Sequence, residues 1–392
     1  MPPAPSRRPS AILLIAVLVA AGCGDESDPT APADQPRDPA TLPLLPEGSH
    51  PSLVVAFEAL PAATAAAAEA RWDEAIDAGM AVGRVHLDWA SVEPDSGVVD
   101  VEILREELAR LSDDGLAPLV AIMAMDTEGA TLPADLQARF EGGLAMDAPA
   151  ILDRYRAMLD WTVPIIVEHG GWGLVVANEN DGYLIENPDQ VEAVARFYRA
   201  AREHTRGLAP ELAVTATHTM DGPLGGAPHY ATLIAELDVA SFNYYPLDHV
   251  TLELLPPTAA LIDDHLVRIL DAAAGKLVIL QELGCPAGYP VDSALGATPA
   301  IQQEFFRLAF ARLAAEPRLR AAFVFQMVDW SPDLFQMVYG DFLDAIDLPQ
   351  DFVDRFEEWL LTTGLMTYDE GEVRPAWSTF LDALDPGSPD PR

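Results

Sequence analysis

The stretch Trp172-Gly173-Leu174-Val175-Val176-Ala177-Asn178-Glu179 decides how the rest of the chain is read. Its apolar part has the length of a buried strand, yet it ends in an amide and a carboxylate. An ionised carboxylate buried without partners is costly, so a strand ending this way delivers the group to a site that holds it. A second run ends alike: Leu277-Val278-Ile279-Leu280-Gln281-Glu282, followed by Leu283-Gly284. The expectation is that Glu179 and Glu282 face each other across one pocket.

Working outward, short apolar runs alternate with amphipathic segments, the pattern of a parallel sheet with helical crossovers. Strands are predicted at 52–57, 81–88, 117–124, 172–178, 212–218, 238–243, 276–282 and 321–328. Helices are predicted at 62–78, 101–114, 149–168, 188–206, 229–236, 258–273, 299–315 and 376–384. Pro149, Pro188 and Pro299 stand at helix starts, and Gly79, Gly115, Gly207 and Gly275 where helices should stop. Eight strand–helix pairs are the count of a (β/α)8 TIM barrel. An open doubly wound sheet would need a glycine-rich turn after its first strand, and Glu58-Ala59-Leu60-Pro61 offers none. The chain therefore reads as α/β, one barrel domain over 51–385. Long loops follow strand 3 (126–148) and strand 8 (329–375), the latter holding an extra helix at 351–361. In a barrel such loops shape the active face.

The 392 residues carry 62 acids against 23 bases, a formal charge of -39. This disfavours nucleic acid and anionic membrane surfaces as partners, since both need a basic footprint. It suits a carbohydrate substrate without demonstrating one, and no protein partner is evident. Lys276 is the sole lysine. Biased composition and adaptation to high salt both account for the acidity.

At the N-terminus, Arg7 and Arg8 precede an apolar run over 11–21, too short to span a bilayer. Ala20-Ala21-Gly22 then leads into Cys23, which resembles the lipobox of exported bacterial lipoproteins. That resemblance implies a signal peptide over 1–22, lipidation of Cys23 and a membrane anchor; an ordinary cleaved signal is the alternative. Residues 23–50, rich in Pro, Ala and Asp, read as a disordered tether, and 386–392 as a polar tail. Cys285 reads as a small packing residue.

Polar residues on barrel strands carry information because both strand faces are buried. Arg84, His86 and Asp88 alternate with Val85 and Leu87, so period two sends the polar set into the barrel. The readings are a functional set or an internal ion-pair ladder. Ser241, Asn243 and Tyr245 share a face by the same parity, and a tyrosine hydroxyl there can hold a carboxylate ionised. Strand 5 ends at His218 and strand 8 leads into Asp329-Trp330, where an indole could stack on a sugar or simply pack. No HExxH, cysteine cluster, GxSxG elbow or P-loop is present, so neither metal nor cofactor is expected.

Two carboxylates in one pocket are the minimum for hydrolysing a glycosidic bond. The chain resembles glycoside hydrolase clan A, barrel enzymes with one glutamate after strand 4 and another after strand 7. The carriers are Gly83-Arg84, Trp89-Ala90-Ser91-Val92-Glu93-Pro94 with Gly97, Asn178-Glu179, Asn243-Tyr244-Tyr245-Pro246, Gln281-Glu282-Leu283-Gly284, Asp329-Trp330, and the late Gly364-Leu365-Met366 with Arg374-Pro375-Ala376. The resemblance implies Glu179 as acid/base, Glu282 as nucleophile held by Arg84 and Tyr245, and Asn178 on the sugar hydroxyl next to the reacting carbon. It implies retention of configuration, with carboxyl groups about 5–5.5 Å apart. Supporting or substrate-binding candidates are Arg84, His86, Trp89, Asn178, His218, Asn243, Tyr245 and Trp330. Asn180-Asp181-Gly182, after Glu179, departs from the clan's common pattern. A glycan-binding barrel that has lost turnover is the competing function.

Overall fold

A computed structural model describes residues 46–384, except 56–57, 95, 128, 225–228, 249 and 346–347. The apolar runs form eight parallel strands: β1 (His50–Leu53), β2 (Val82–Asp88), β3 (Ala117–Asp126), β4 (Gly173–Asn178), β5 (Ala213–His218), β6 (Ala240–Tyr244), β7 (Val278–Leu283) and β8 (Leu319–Val324). They pair in the order β1-β8-β7-β6-β5-β4-β3-β2, and the two end strands meet where the Ser52 hydroxyl donates to the Val82 carbonyl at 2.6 Å. The barrel is therefore the (β/α)8 form that the sequence implied. Between strands run α1 (Ala62–Asp77), α2 (Glu102–Asp113), α3 (Pro149–Glu168), α4 (Val191–Leu208), α5 (Tyr230–Ala235), α6 (Ala259–Ala272) and α7 (Pro299–Ala315), and α8 (Ala376–Leu384) closes the series.

Local chemistry explains several ends. Pro149 and Pro299 open α3 and α7, where a missing N–H costs nothing. The Thr298 and Thr258 side chains each accept the backbone N–H three residues on, at 3.2 Å. Gly79, Gly115 and Gly275 take positive φ just past α1, α2 and α6. Gly207 does not stop α4, which runs through it to Leu208. The strand expected at 52–57 begins earlier, at His50, inside the stretch read as tether, and its last two expected residues lie outside the described ones.

Period two sorts the side chains. Val85, Leu87, Val120, Ile122, Val214 and Phe242 point outward into one large core shared with the helices. Val82, Leu119, Val175, Ala213, Val239, Ile279 and Phe323 fill the barrel interior, with Trp172 among them. This apolar filling occupies the lower barrel and leaves the mouth, at the strand C-terminal ends, to polar side chains.

Both long loops are structured. After β3, Gly129–Ala130 pairs antiparallel with Met125 and Asp126, so the strand runs beyond its expected end at 124. After β8 come two helices, Pro332–Ala345 and Gln350–Thr362, where one was expected. They join through a cluster of Phe335, Tyr339, Phe352, Phe356 and Trp359, and Tyr339 and Phe356 meet edge-on at 4.8 Å. No described helix is long and apolar enough to cross a membrane. The leader expected at 1–22, Cys23, most of the tether and the tail at 386–392 lie outside the described residues.

Candidate active site

At the barrel mouth lies a cavity of about 210 Å3 whose lining includes Arg84, His86, Asp126, Thr127, Asn178, Glu179, Tyr245, Glu282 and Trp330. Strand parity alone does not put both glutamates there. Leu277, just before β7, and Ile279 face the interior and Gln281 bonds to Thr217 inside it, so an unbroken strand would turn Glu282 outward. The β6–β7 ladder slips by one residue between Phe242 and Asn243, pairing Asn243 with Glu282. Such a slip re-aims a side chain. A matching irregularity lies between Val175 and Asn178 on β4, and Glu179 just beyond takes left-handed backbone, φ 44°. A non-glycine residue there stores strain of about 1–3 kcal/mol. The Glu179 N–H is tied to the Thr217 carbonyl at 2.9 Å.

The two glutamates have different partners. Glu282 lies 3.6 Å from the Arg84 guanidinium and accepts the Tyr245 hydroxyl at 2.7 Å. Arg84 also donates to the Gln281 carbonyl at 3.1 Å and contacts His86 Nδ1. A buried guanidinium left unpaired would cost several kcal/mol, so Arg84 and Glu282 require each other. Among the described residues no cation pairs with Glu179. It accepts from Asn243 Nδ2 at 2.8 Å and from the Thr127 hydroxyl at 3.1 Å.

Protonation follows from these partners. Burial, then the nearby Glu282 charge, pushes the Glu179 carboxyl up to about 8, against the Asn243 hydrogen bond. Burial also raises Glu282, but Arg84 and the Tyr245 hydroxyl oppose it by favouring the ionised form. The pair shares protons, and the one nearest neutrality belongs on Glu179. Burial, and then Arg84, drives His86 far down, leaving it neutral.

Asn178 lines the cavity, and Asn243 supports Glu179 without lining it. Asn178 Nδ2 donates to Asp126 at 2.9 Å, and Asn243 Nδ2 lies 3.4 Å from Asn178 Oδ1. Trp330 lines one wall and stacks on Tyr339, centroids 6.1 Å apart and planes 17° from parallel. Among the described residues, no group of three or more His, Cys, Asp and Glu is placed to hold a metal ion.

Two expected contributors sit elsewhere. His218 is fully buried and does not line the cavity. On β5 the interior positions are Thr215 and Thr217, so His218 falls on the outer face, its ring 6.2 Å from Phe242. The alternation of Thr215-Ala216-Thr217-His218 already carried that parity. Trp89 is also sealed, its indole N–H donating to Glu93 at 2.8 Å and its ring edge-on to Tyr155 at 4.9 Å. It braces the loop after β2.

Sequence reading missed Asp126, Thr127, Tyr339 and Trp359. Asp126 had a signal: Met123-Ala124-Met125-Asp126 is a third apolar run ending in a carboxylate. Tyr339 and Trp359 arrive on the two helices after β8, and no local pattern marks them.

Among solved structures the chain is similar to GH5_18 proteins from Streptomyces cattleya and Bifidobacterium longum subsp. longum, both in complex with Manβ1-4GlcNAc. The first is 17% identical with TM-score 0.62, over 88% of this chain and 83% of that one. The second is 14% identical with TM-score 0.62, over 86% and 78%. An exo-β-1,4-mannosidase from Opitutaceae bacterium strain TAV5 is 16% identical with TM-score 0.61, over 86% of this chain and 59% of that one. The shared feature is the barrel fold. No protein-family model matches the chain, nor does any curated protein.

Proposed function

We propose that this protein is a retaining glycoside hydrolase acting on β-linked sugars, with Glu282 as nucleophile and Glu179 as acid/base. The observation that carries the reading is the unequal treatment of two carboxyls in one cavity. Glu282 has a guanidinium and a phenol to stabilise its charge, and Glu179 has burial and a neighbouring anion to hold its proton. Ionised Glu282 attacks the anomeric carbon, the bond to the leaving oxygen breaks, and the Glu179 proton passes to that oxygen. The glycosyl ester on Glu282 is then opened by water, which gives its proton to Glu179. On this reading Asn178 meets a hydroxyl beside the reacting carbon and Trp330 contributes to sugar binding.

The neighbours named for β-mannose-containing ligands and for exo-β-1,4-mannosidase activity make β-mannosides the first substrates to try. The decisive experiment assays the protein and its Glu282→Gln variant on a panel of β-glycosides. Loss of at least about 1000-fold in kcat is expected for removal of a nucleophile. Equal rates for the two proteins overturn the assignment. Sugar affinity without product from the unmodified protein would instead support the glycan-binding alternative; the meeting of Arg84, Tyr245 and both glutamates in one cavity speaks for turnover.

The proposal includes export and a lipid anchor at Cys23, resting on Arg7, Arg8 and the run into Ala20-Ala21-Gly22-Cys23. Incorporation of labelled fatty acid that Cys23→Ala leaves unchanged would remove the anchor.

A further inference from the structure

We propose that Asp126 selects the charge class of the sugar: the cavity takes neutral or amino-bearing glycosides and rejects those carrying a carboxylate or sulfate. The inference rests on the glycosidase reading of the same site and deepens it.

Asp126 is the last residue of β3, fixed there by the antiparallel pairing with Gly129–Ala130. Its Oδ1 accepts all of its protein hydrogen bonds: from Asn178 Nδ2 at 2.9 Å, the Thr127 N–H at 2.8 Å and the Thr127 hydroxyl at 3.2 Å. Among the described residues nothing donates to Oδ2, and Asp126 lines the cavity. A carboxylate oxygen accepts but does not donate. It suits a hydroxyl or an ammonium group.

The surrounding charges act in the same direction. Asp126, Glu179 and Glu282 line the cavity against Arg84, which is committed to Glu282 and to the Gln281 carbonyl. With Glu179 protonated, as its role requires, two negative charges face one positive. The remaining wall includes Phe325, Trp330, Tyr339 and Trp359, and among the described lining residues the only other base is His86, held against Arg84. An anionic sugar would enter beside like charges with no free base to meet it, a penalty on the order of 100-fold or more in affinity.

The test compares matched aryl β-hexosides, 2-amino-2-deoxyhexosides and hexuronides in gluco, manno and galacto series, with the unmodified protein and with Asp126→Asn. The asparagine keeps one oxygen for Asn178 and replaces the other with a donor NH2 group. Expected for the unmodified protein is a kcat/KM on hexuronides at least about 100-fold below that on matched hexosides. Asp126→Asn should raise KM for the hexosides and shrink the discrimination by about tenfold or more, which a purely structural role would not do. Hexuronides cleaved as well as hexosides, or an unchanged ratio in Asp126→Asn, overturn the inference. If no glycoside is cleaved, the glycosidase reading fails separately. Equilibrium binding of free hexoses against hexuronic acids by the intact protein then decides the charge preference, and equal affinities refute it.

Discussion

At the scale of single residues, the site works through one asymmetry. Burial disfavours charge on both glutamates, and among the described residues a cation opposes it at Glu282 alone. On the proposed mechanism, the form that turns over has Glu179 protonated and Glu282 ionised. With an unactivated leaving group, kcat/KM should therefore fall as pH rises through about 8, where Glu179 loses its proton. A pH profile on a disaccharide checks this, and an alkaline limb near the ordinary carboxylate range would contradict it. The same shift affects stability. Between its ordinary 4.5 and about 8 the folded state holds a proton that the unfolded state has released, so stability declines as pH climbs through that window. Glu179→Gln should melt above the parent at pH 8, by about 2–5 °C or more, and the gap should close below pH 4. Thermal melts at the two pH values read it. Gly284 is a further lever: a Cβ there would stand 2.5 Å from the Tyr245 ring and 2.9 Å from Thr363. Gly284→Ala should displace the phenol that holds Glu282 and lower kcat by about 100-fold, with circular dichroism unchanged. Wild-type kcat in that variant would show that the Tyr245 contact is dispensable.

At the scale of elements, the segment closing the barrel is stapled by a buried ion pair. Arg374 donates to both Asp329 oxygens, at 2.7 and 2.6 Å, and Asp329 also accepts the Gly364 N–H at 2.8 Å. Asp329 directly precedes Trp330, so the staple fixes one wall of the cavity. Burial raises the Asp329 carboxyl and Arg374 opposes it. Arg374→Ala leaves an uncompensated buried charge and should destabilise the protein by about 3–5 kcal/mol. Adding Asp329→Asn should recover part of that loss, and urea melts of the single and double variants measure it; equal loss in both would argue against the pair. The elements also show where sequence reading stops. The starts of the helices at 149–168 and 299–315 are legible because a proline opens each, with a threonine cap before the second. The slip between β6 and β7 has no such mark, because register is settled between two strands that are distant along the chain. His218 differs: the parity of its own strand already turns it to the outer face, where its ring lies beside Phe242.

At the scale of the whole molecule, a charge of -39 repels itself. Raising salt from about 0.01 to 1 M shortens the screening length from roughly 30 to 3 Å, so Tm should rise over that range. A Tm that falls instead would show that surface ion pairs outweigh the net repulsion. Composition and periodicity by themselves determined the barrel, since eight apolar runs with helical crossovers have few ways to bury both faces. They also determined that strands 4 and 7 end in carboxylates, and that Arg84 and Tyr245 point inward. Tertiary structure alone decided that Glu282 turns into the mouth rather than the outer core, and that Arg84 pairs with Glu282 rather than with Glu179. It also brought Tyr339 and Trp359 from a distant loop to form the wall. A side chain's type and parity are local properties of the chain, whereas the charges that surround it come from strands that meet only when the barrel closes.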